Sequence, residues 1–440
     1  TAPVSAAVLI QQPDKTFKEQ PLHKSFAQQT DDGGLVLFDA DKDGDLDVYI
    51  TSGSNELVKE TIGYTDRFYL NDGNGNFTMD STAVPKNYAS KGVVKTIDFD
   101  KDGDEDLFIG EYIIPGEYPK PGSGFIYRND KGKFTDVTAS VAPQLKNTGM
   151  IRDAVFTDAD KDGDADLIVT GEFMGIYLFK NENGKFIKQI TSLEKEIGWW
   201  NCITAVDIDK DGDMDFIAGN YGTNGYFQAS IQEPVTVYAN DFDNNQRWDA
   251  FLSIWKLDTL NGKRKEFPAG YRDQLAEEIP SIKKMFNDYT SFAKADVNTL
   301  MTNFNRTSEI KISATQFQSV WIENKGNNEF VIHPLPIEAQ WSPVHCIIAN
   351  DFNGDGSIDI LLSGNEFNVH PFAGRIDAGN GLVLKGDGKG NFTSLSILES
   401  GIYIPGNGRG MAQFAYNNTF AVAAVQNNGR LLLFEKKKPR

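Results

Sequence analysis

The chain has 440 residues, 43 of them basic and 62 acidic, for a formal net charge of −19. That sign argues against nucleic acid as a partner, and no run of apolar residues is long enough to read as a transmembrane segment. The two cysteines, Cys202 and Cys346, occupy equivalent places ahead of two acidic loops, too far apart for a disulfide, and are expected as buried free thiols.

Two short strand-like stretches open the chain, Val8-Leu9-Ile10-Gln11 and Thr16-Phe17-Lys18, and are expected to supply strands to the last of a series of repeats. The first repeat centres on Asp39-Ala40-Asp41-Lys42-Asp43-Gly44-Asp45-Leu46-Asp47, between the apolar runs Leu35-Val36-Leu37-Phe38 and Val48-Tyr49-Ile50. Such runs read as buried strands. Oxygen donors at positions 1, 3, 5 and 9, with glycine at position 6, bring several carboxylates to one point, which only a hard cation makes tolerable. Calcium takes six to eight oxygen ligands at about 2.3–2.6 Å, and the EF-hand opens with the same rhythm. Here, however, the closing acid stands at position 9 and strands, not helices, flank the loop.

The pattern returns as Asp98-Phe99-Asp100-Lys101-Asp102-Gly103-Asp104-Glu105-Asp106. A third copy carries Asp158, Asp160, Asp162, Asp164 and Asp166, and a fourth Asp207, Asp209, Asp211, Asp213 and Asp215. The fifth keeps Asp241, Asp243, Asn245 and Asp249 but has Gln246 in place of the glycine, which predicts weaker binding because that turn needs φ > 0. The sixth, with Asp351, Asn353, Asp355, Gly356 and Asp359, is expected to bind. The expected cofactor is therefore Ca²⁺, about five or six ions. Six ions would bring the net charge from −19 to −7.

After most loops comes a hairpin with glycine turn chemistry: Phe68–Phe77, Ile126–Phe134, Tyr177–Phe186, Val320–Phe330 and Leu382–Phe392. One repeat is thus four antiparallel strands, the unit of a propeller blade. The first aspartates of successive loops are 59, 60, 49, 34 and 110 residues apart, and the long last step marks an insertion. Within it Ile279, Ile282, Met285, Phe286, Tyr289 and Phe292 follow the helical period. Met411–Phe414 and Phe420–Ala423 read as inner strands of a seventh unit without acids. The expectation is one all-β domain over residues 1–440, a seven-bladed β-propeller with Asp-rich calcium loops and a small helical insertion at 258–312 within blade five, closed by the N-terminal strands.

The Asp-x-Asp-x-Asp-Gly-x-x-Asp loops and Leu-x-Asn-x-Gly-x-Gly-x-Phe hairpins resemble the FG-GAP/VCBS repeat family, whose calcium-loop propellers include the integrin α-subunit head and the cartilage acidic protein group. Gly198-Trp199-Trp200-Asn201, Gly219-Asn220-Tyr221-Gly222 and the helical insertion look closest to bacterial secreted members. The resemblance spans nearly the whole chain. It implies a calcium-stiffened propeller used for extracellular binding, and names no ligand. Loops this rich in acid suit the extracellular space, the cell surface or the periplasm, where calcium is abundant.

In an up-and-down blade, the entrances to first strands and the exits of second strands share the face opposite the acidic loops. The entrances carry Lys91, Arg152, Trp199, Trp200, Asn201, Trp341, His345 and Arg409; the exits carry Glu111, Glu172, Asn220 and Glu366, each followed by an aromatic residue; the insertion adds Tyr271 and Arg272. Aromatic faces with convergent polar groups are what sugar sites use. The favoured expectation is a secreted or cell-surface binding module for a glycan or protein, with no catalytic residue assigned. The rival is a polysaccharide lyase or hydrolase on the same face, with Lys91, Arg152, Glu172 and His345 supplying a base and positive charge. No nucleophile elbow, zinc motif or phosphate loop is present. For any one aromatic residue the alternative is core packing between repeats, and for His345 a structural role.

Overall fold

The stretches that follow the acidic loops are apolar on both faces, and Asp47–Gly53, Asp106–Ile113 and Asp166–Met174 are buried almost throughout, as inner strands between covered faces must be. The computed structural model describes residues 6–22, 31–259, 261–307 and 309–436. Its strands form small antiparallel sheets, joined by tight turns and short helices.

Two compact units divide the chain, one of Thr1–Phe156, Gly163–Ile168 and Leu178–Gln189, the other of Thr157–Asp162, Val169–Tyr177 and Ile190–Arg440. In the first unit, Asp31–Phe38, Asp47–Gly53, Arg67–Asn71 and Phe77–Met79 pair in chain order as a first sheet; Ser90–Ile97, Asp106–Ile113, Gly124–Asn129 and Phe134–Asp136 form a second. Tyr49, Phe68 and Phe134 pack edge to face or tilted at the centre of its core. The strands of a third sheet, Met150–Thr157 to Phe186–Lys188, are shared between the two divisions of the chain.

In the second unit, Cys202–Val206 and Asp215–Gly219 open a fourth sheet that Val320–Asn324 and Phe330–Pro334 complete. The chain between, residues 220–319, builds a sheet of its own from Val235–Asn240, Asp249–Asp258, Lys263–Pro268 and Ile310–Ala314. The hairpin at 320–330 therefore belongs to the fourth sheet and not to the fifth. Four short helices, Arg272–Glu278, Ile282–Met285, Tyr289–Ala293 and Val297–Met301, lie between the third and fourth strands of the inserted sheet in chain order. Ile279, Ile282, Leu300 and Phe304 from this stretch pack on Tyr238, Phe242 and Phe251 of the sheet. Asp288 and Asp296 cap the last two helices by accepting from Ser291 and Thr299 N–H groups. A sixth sheet runs from Val344–Asn350 to Phe392–Leu395, and a seventh has three strands, Gly408–Tyr416, Thr419–Gln426 and Leu432–Glu435.

This overturns the seven-bladed propeller expected from the repeats: the chain is all-β with several small antiparallel sheets and a few short helices, and among the described residues no sheet closes into a barrel or propeller. The physical reason lies in range. Turn residues and apolar patterning specify a four-stranded unit locally, whereas closure depends on contacts between units that neither encodes. The closing role given to the N-terminal strands falls with it. Among the described residues Ala7–Gln11 and Phe17–Pro21 pair with each other and with no other strand, and Ala6, Val8 and Leu22 pack against Val48, Ile50 and Tyr69 of the first sheet. Deleting residues 1–22 should thus uncover that apolar face and cost about 2–4 kcal/mol. Chemical denaturation checks this, and unchanged stability would show that the hairpin contributes nothing.

Candidate metal centres and an aromatic cluster

Each acidic loop is built the same way. The acid at position 9 begins an inner strand and is buried: Asp47, Asp106, Asp166, Asp215, Asp249 and Asp359 are all 2% exposed or less. One carboxylate oxygen accepts from the position-2 N–H, as Asp47 does from Ala40 (3.0 Å), Asp106 from Phe99 (3.2 Å) and Asp215 from Ile208 (3.0 Å). The other accepts from the N–H that ends the third strand, Asn71 for Asp47 (2.9 Å) and Asn324 for Asp215 (2.9 Å). Glycine at position 6 takes φ between 84° and 95°, and Gln246 is forced to φ 67° in its place.

The turn gathers the remaining acids. One oxygen from each of Asp39, Asp41 and Asp43 lies within 4.8 Å of the others, and so do Asp98, Asp100 and Asp106, Asp207, Asp209 and Asp215, and Asp241, Asp243 and Asp249. In the loop at 158–166 the Asp162 N–H donates to Asp158 (3.1 Å) and Asp160 (3.3 Å), as the Asp43 N–H does to Asp39 and Asp41. Among the described residues the loop at 351–359 brings no such trio together. There Asp351 takes N–H groups from Gly354, Asp355 and Gly356, and Asn353 donates to Asp359.

These sites fit a hard cation. Burial pushes Asp47, Asp215 and Asp249 up to about 6 and Asp106 to about 7, with the neighbouring carboxylates adding to the rise. Asp98 Oδ1 and Asp243 Oδ1 are buried without a hydrogen-bond partner. Oxygen-only donors, concentrated charge and unpartnered acceptors match the chemistry of calcium. At position 7 the acids face lysines instead: Lys42 pairs with Asp104 (2.6 Å), Lys161 with Asp213 (2.6 Å), and Lys101 with Asp164. Asp45 keeps a buried oxygen without a partner.

The residues expected to bind a ligand separate into two kinds. Several are buried and bonded within the fold. Lys91 is fully buried, donating to the carbonyls of Tyr64 (2.9 Å) and Asn87 (2.7 Å) and pairing with Asp66 (3.1 Å). Trp200 is fully buried and donates Nε1–H to Glu196 O (2.9 Å). Asn220, also fully buried, accepts from the Trp199 and Tyr221 N–H groups and donates to Gln316 and Gln318 carbonyls. Glu111 is buried against Gly122, accepts from Ser123 N–H, and is pushed up to about 7 by burial. Arg152 lies over the Tyr112 ring, and buried Glu172 pairs with Trp199 across two strands.

The others lie in the second unit, where Trp199 and Tyr271 belong to one aromatic cluster. Half-buried Trp199 stacks on Tyr221 (5.2 Å, 17°) and touches Phe173, Phe227 and Phe317. Phe227 leads through Phe372 to exposed Tyr271, and Tyr226 packs on both Phe227 and Phe372. Lys256 sits over the Tyr226 ring, and His370 over Phe372. Arg409 joins His345 (2.8 Å) to Glu366 (2.6 Å); burial works against the Glu366 charge, yet those two partners hold it down at about 2. Burial pushes the Tyr221 hydroxyl up to about 12, and the Glu366 charge adds a little to the rise. Arg272 pairs with Asp273 and covers Tyr289, and Trp341 is 45% exposed. No sequence pattern singles out Phe227, Phe317 and Phe372, which stand in long connections whose letters carry no period.

An FG-GAP-like repeat profile matches residues 98–169 and 158–218. No curated protein matches the chain. Among solved structures, the V. cholerae biofilm matrix protein Bap1 is 11% identical with a TM-score of 0.33, covering 92% of this chain and 77% of its own. The exotype rhamnogalacturonan lyase YesX is 13% identical with a TM-score of 0.33, covering 99% and 74%. Similarity that distant carries no argument about function. Against the expectation of a resemblance along nearly the whole chain, residues 98–218, from the second acidic loop through the fourth, form an FG-GAP-like repeat region.

Proposed function

We propose that the protein is a calcium-stabilised extracellular module that binds a glycan on the aromatic cluster around Trp199. The supporting observation is the cluster itself: a half-buried Trp199 stacked on Tyr221, continued by Tyr226 and Phe372 toward exposed Tyr271, with the hydrogen-bonded trio of His345, Arg409 and Glu366 in the same unit. Sugar rings present C–H faces that stack on aromatic rings and hydroxyls that need fixed donors and acceptors. Here Glu366 stays ionised and accepts, while Arg409 donates to it and to His345 Nε2.

The acidic loops at 39–47, 98–106, 207–215 and 241–249 would hold Ca²⁺, with the loops at 158–166 and 351–359 completing the set. Bound calcium supplies charge neutralisation to carboxylates that otherwise repel. The chain's own residues supply the rest: the position-9 acids fix the loop backbone, and the strands that follow carry that order to Phe173 and Tyr221 at their far ends.

Glycan-array binding of the wild type and of Trp199→Ala, Tyr226→Ala and Phe372→Ala tests the reading. A stacked ring contributes about 0.5–1.5 kcal/mol beyond its buried area, so each variant should weaken binding up to about tenfold with calcium loading intact. Binding that survives all three substitutions would move the site elsewhere, and released product would replace the binding module by a polysaccharide-cleaving enzyme.

A further inference from the structure

Three hairpin asparagines are each bonded to two acidic loops at once. Asn129 is fully buried. Its backbone N–H donates to Asp106 of its own loop (2.8 Å), and its side-chain oxygen accepts from Gly132 N–H (2.8 Å). Its Nδ2 donates to Glu105 O of the same loop (3.1 Å) and to Ala40 O of the loop before (2.9 Å). Asn181 repeats the arrangement with Asp166, Gly184 and, in the preceding loop, Phe99 O (3.2 Å). Asn324 does so with Asp215, Gly326 and Ala159 O (2.8 Å).

The carbonyl gripped is always that of position 2. The position-2 residue stands between the first two ligand acids, and in the loops at 39–47 and 98–106 its N–H is held by the acid at position 9. It is therefore fixed at both ends, once from its own loop and once from the next repeat. Two departures mark the limits of the pattern. Asn71 makes the bonds to its own loop, to Asp47 and Leu46 O, but has no loop before it. Gly386 donates its N–H to Asp359 but has no side chain to reach back to the loop at 207–215. In the opposite direction, Lys42 of the first loop pairs with Asp104 of the second.

Resting on the reading of these loops as calcium sites, we infer that Asn129, Asn181 and Asn324 are positioning residues for the cation site of the loop before their own, so that filling one loop raises the affinity of its predecessor. Groups that orient metal ligands without touching the metal change affinity about 10–100-fold when removed. Losing the amide also leaves a buried carbonyl without a donor, so the peptide between two ligands is released.

Calorimetric calcium titration of the full chain tests this with Asn71→Ala, Asn129→Ala and Asp102→Asn. Asn71→Ala should weaken one site, the loop at 39–47. Asn129→Ala should weaken two, its own and that same loop, by about tenfold or more each. Asp102→Asn removes a carboxylate charge from the second loop without touching Asn129, and should also weaken the first. Melting temperatures in chelator provide the control, since a merely structural asparagine would lower them alike for Asn71→Ala and Asn129→Ala and leave the first loop's affinity unchanged. The inference is overturned if Asn129→Ala and Asn71→Ala each weaken a single site, or if Asp102→Asn leaves the first loop unaffected. A wild type that binds no calcium would instead remove the calcium reading itself, and the inference with it.

Discussion

Lys91→Ala should destabilise the protein by about 3–5 kcal/mol, the loss typical when one partner of a buried ion pair is removed. The Lys91 side chain is fully buried, with Asp66 1% exposed beside it. Asp66 also takes the Ser52 N–H (3.1 Å) and the Tyr49 hydroxyl (2.9 Å), so the pair ties the strand Asp47–Gly53 of the first sheet to the start of the second. Without the lysine, Asp66 keeps a charge with no counter-charge, and the carbonyls of Tyr64 and Asn87 lose their donor. Replacing both members by apolar residues, Lys91→Met with Asp66→Leu, should cost less than Lys91→Ala alone, because no uncompensated charge remains. Urea unfolding measures both. A ligand-binding lysine would behave otherwise, with Lys91→Ala leaving the midpoint in place, and that result would return Lys91 to the candidate site.

Calcium removal should have the larger effect. Carboxylates about 4 Å apart repel by up to about 4 kcal/mol per pair at an effective dielectric near 20, and several loops gather three such groups. The pH dependence follows from the buried acids. Asp47, Asp215 and Asp249 stand near 6 and Asp106 near 7 in the calcium-free fold, all above the usual value of 3.8. Between about pH 4 and pH 7 these four acids therefore hold more protons in the folded chain than in the unfolded one, and their contribution to stability falls as the pH rises through that window. Calcium needs the same groups ionised, so its stabilisation runs in the opposite sense and fades as the pH drops below about 6.

The sequence makes the loops legible because they are local: acids two residues apart, a glycine where φ must be positive, and a buried acid opening the next strand. The strands and hairpins are legible for the same reason. Pairing across long separations is not. Spacing assigns the hairpin at 320–330 to the fifth loop, whereas Val320, Trp321 and Ile322 pair with Ala218, Ile217 and Phe216 from before the insertion. Side-chain direction is equally hidden. Trp199 and Trp200 are adjacent letters of one kind, yet one borders an aromatic cluster and the other is core. The hairpin asparagines are visible as part of a turn motif, but the carbonyls they reach belong to the repeat before.

The most direct test of the loops as cation sites is the melting temperature in calcium and in chelator, at about pH 7.5 and about pH 5. The expected result is a large drop on chelation at the higher pH and a smaller gap at the lower one, where protons replace the ion on the buried acids. A melting temperature that chelator leaves unchanged at the higher pH would contradict the assignment of these loops as calcium sites.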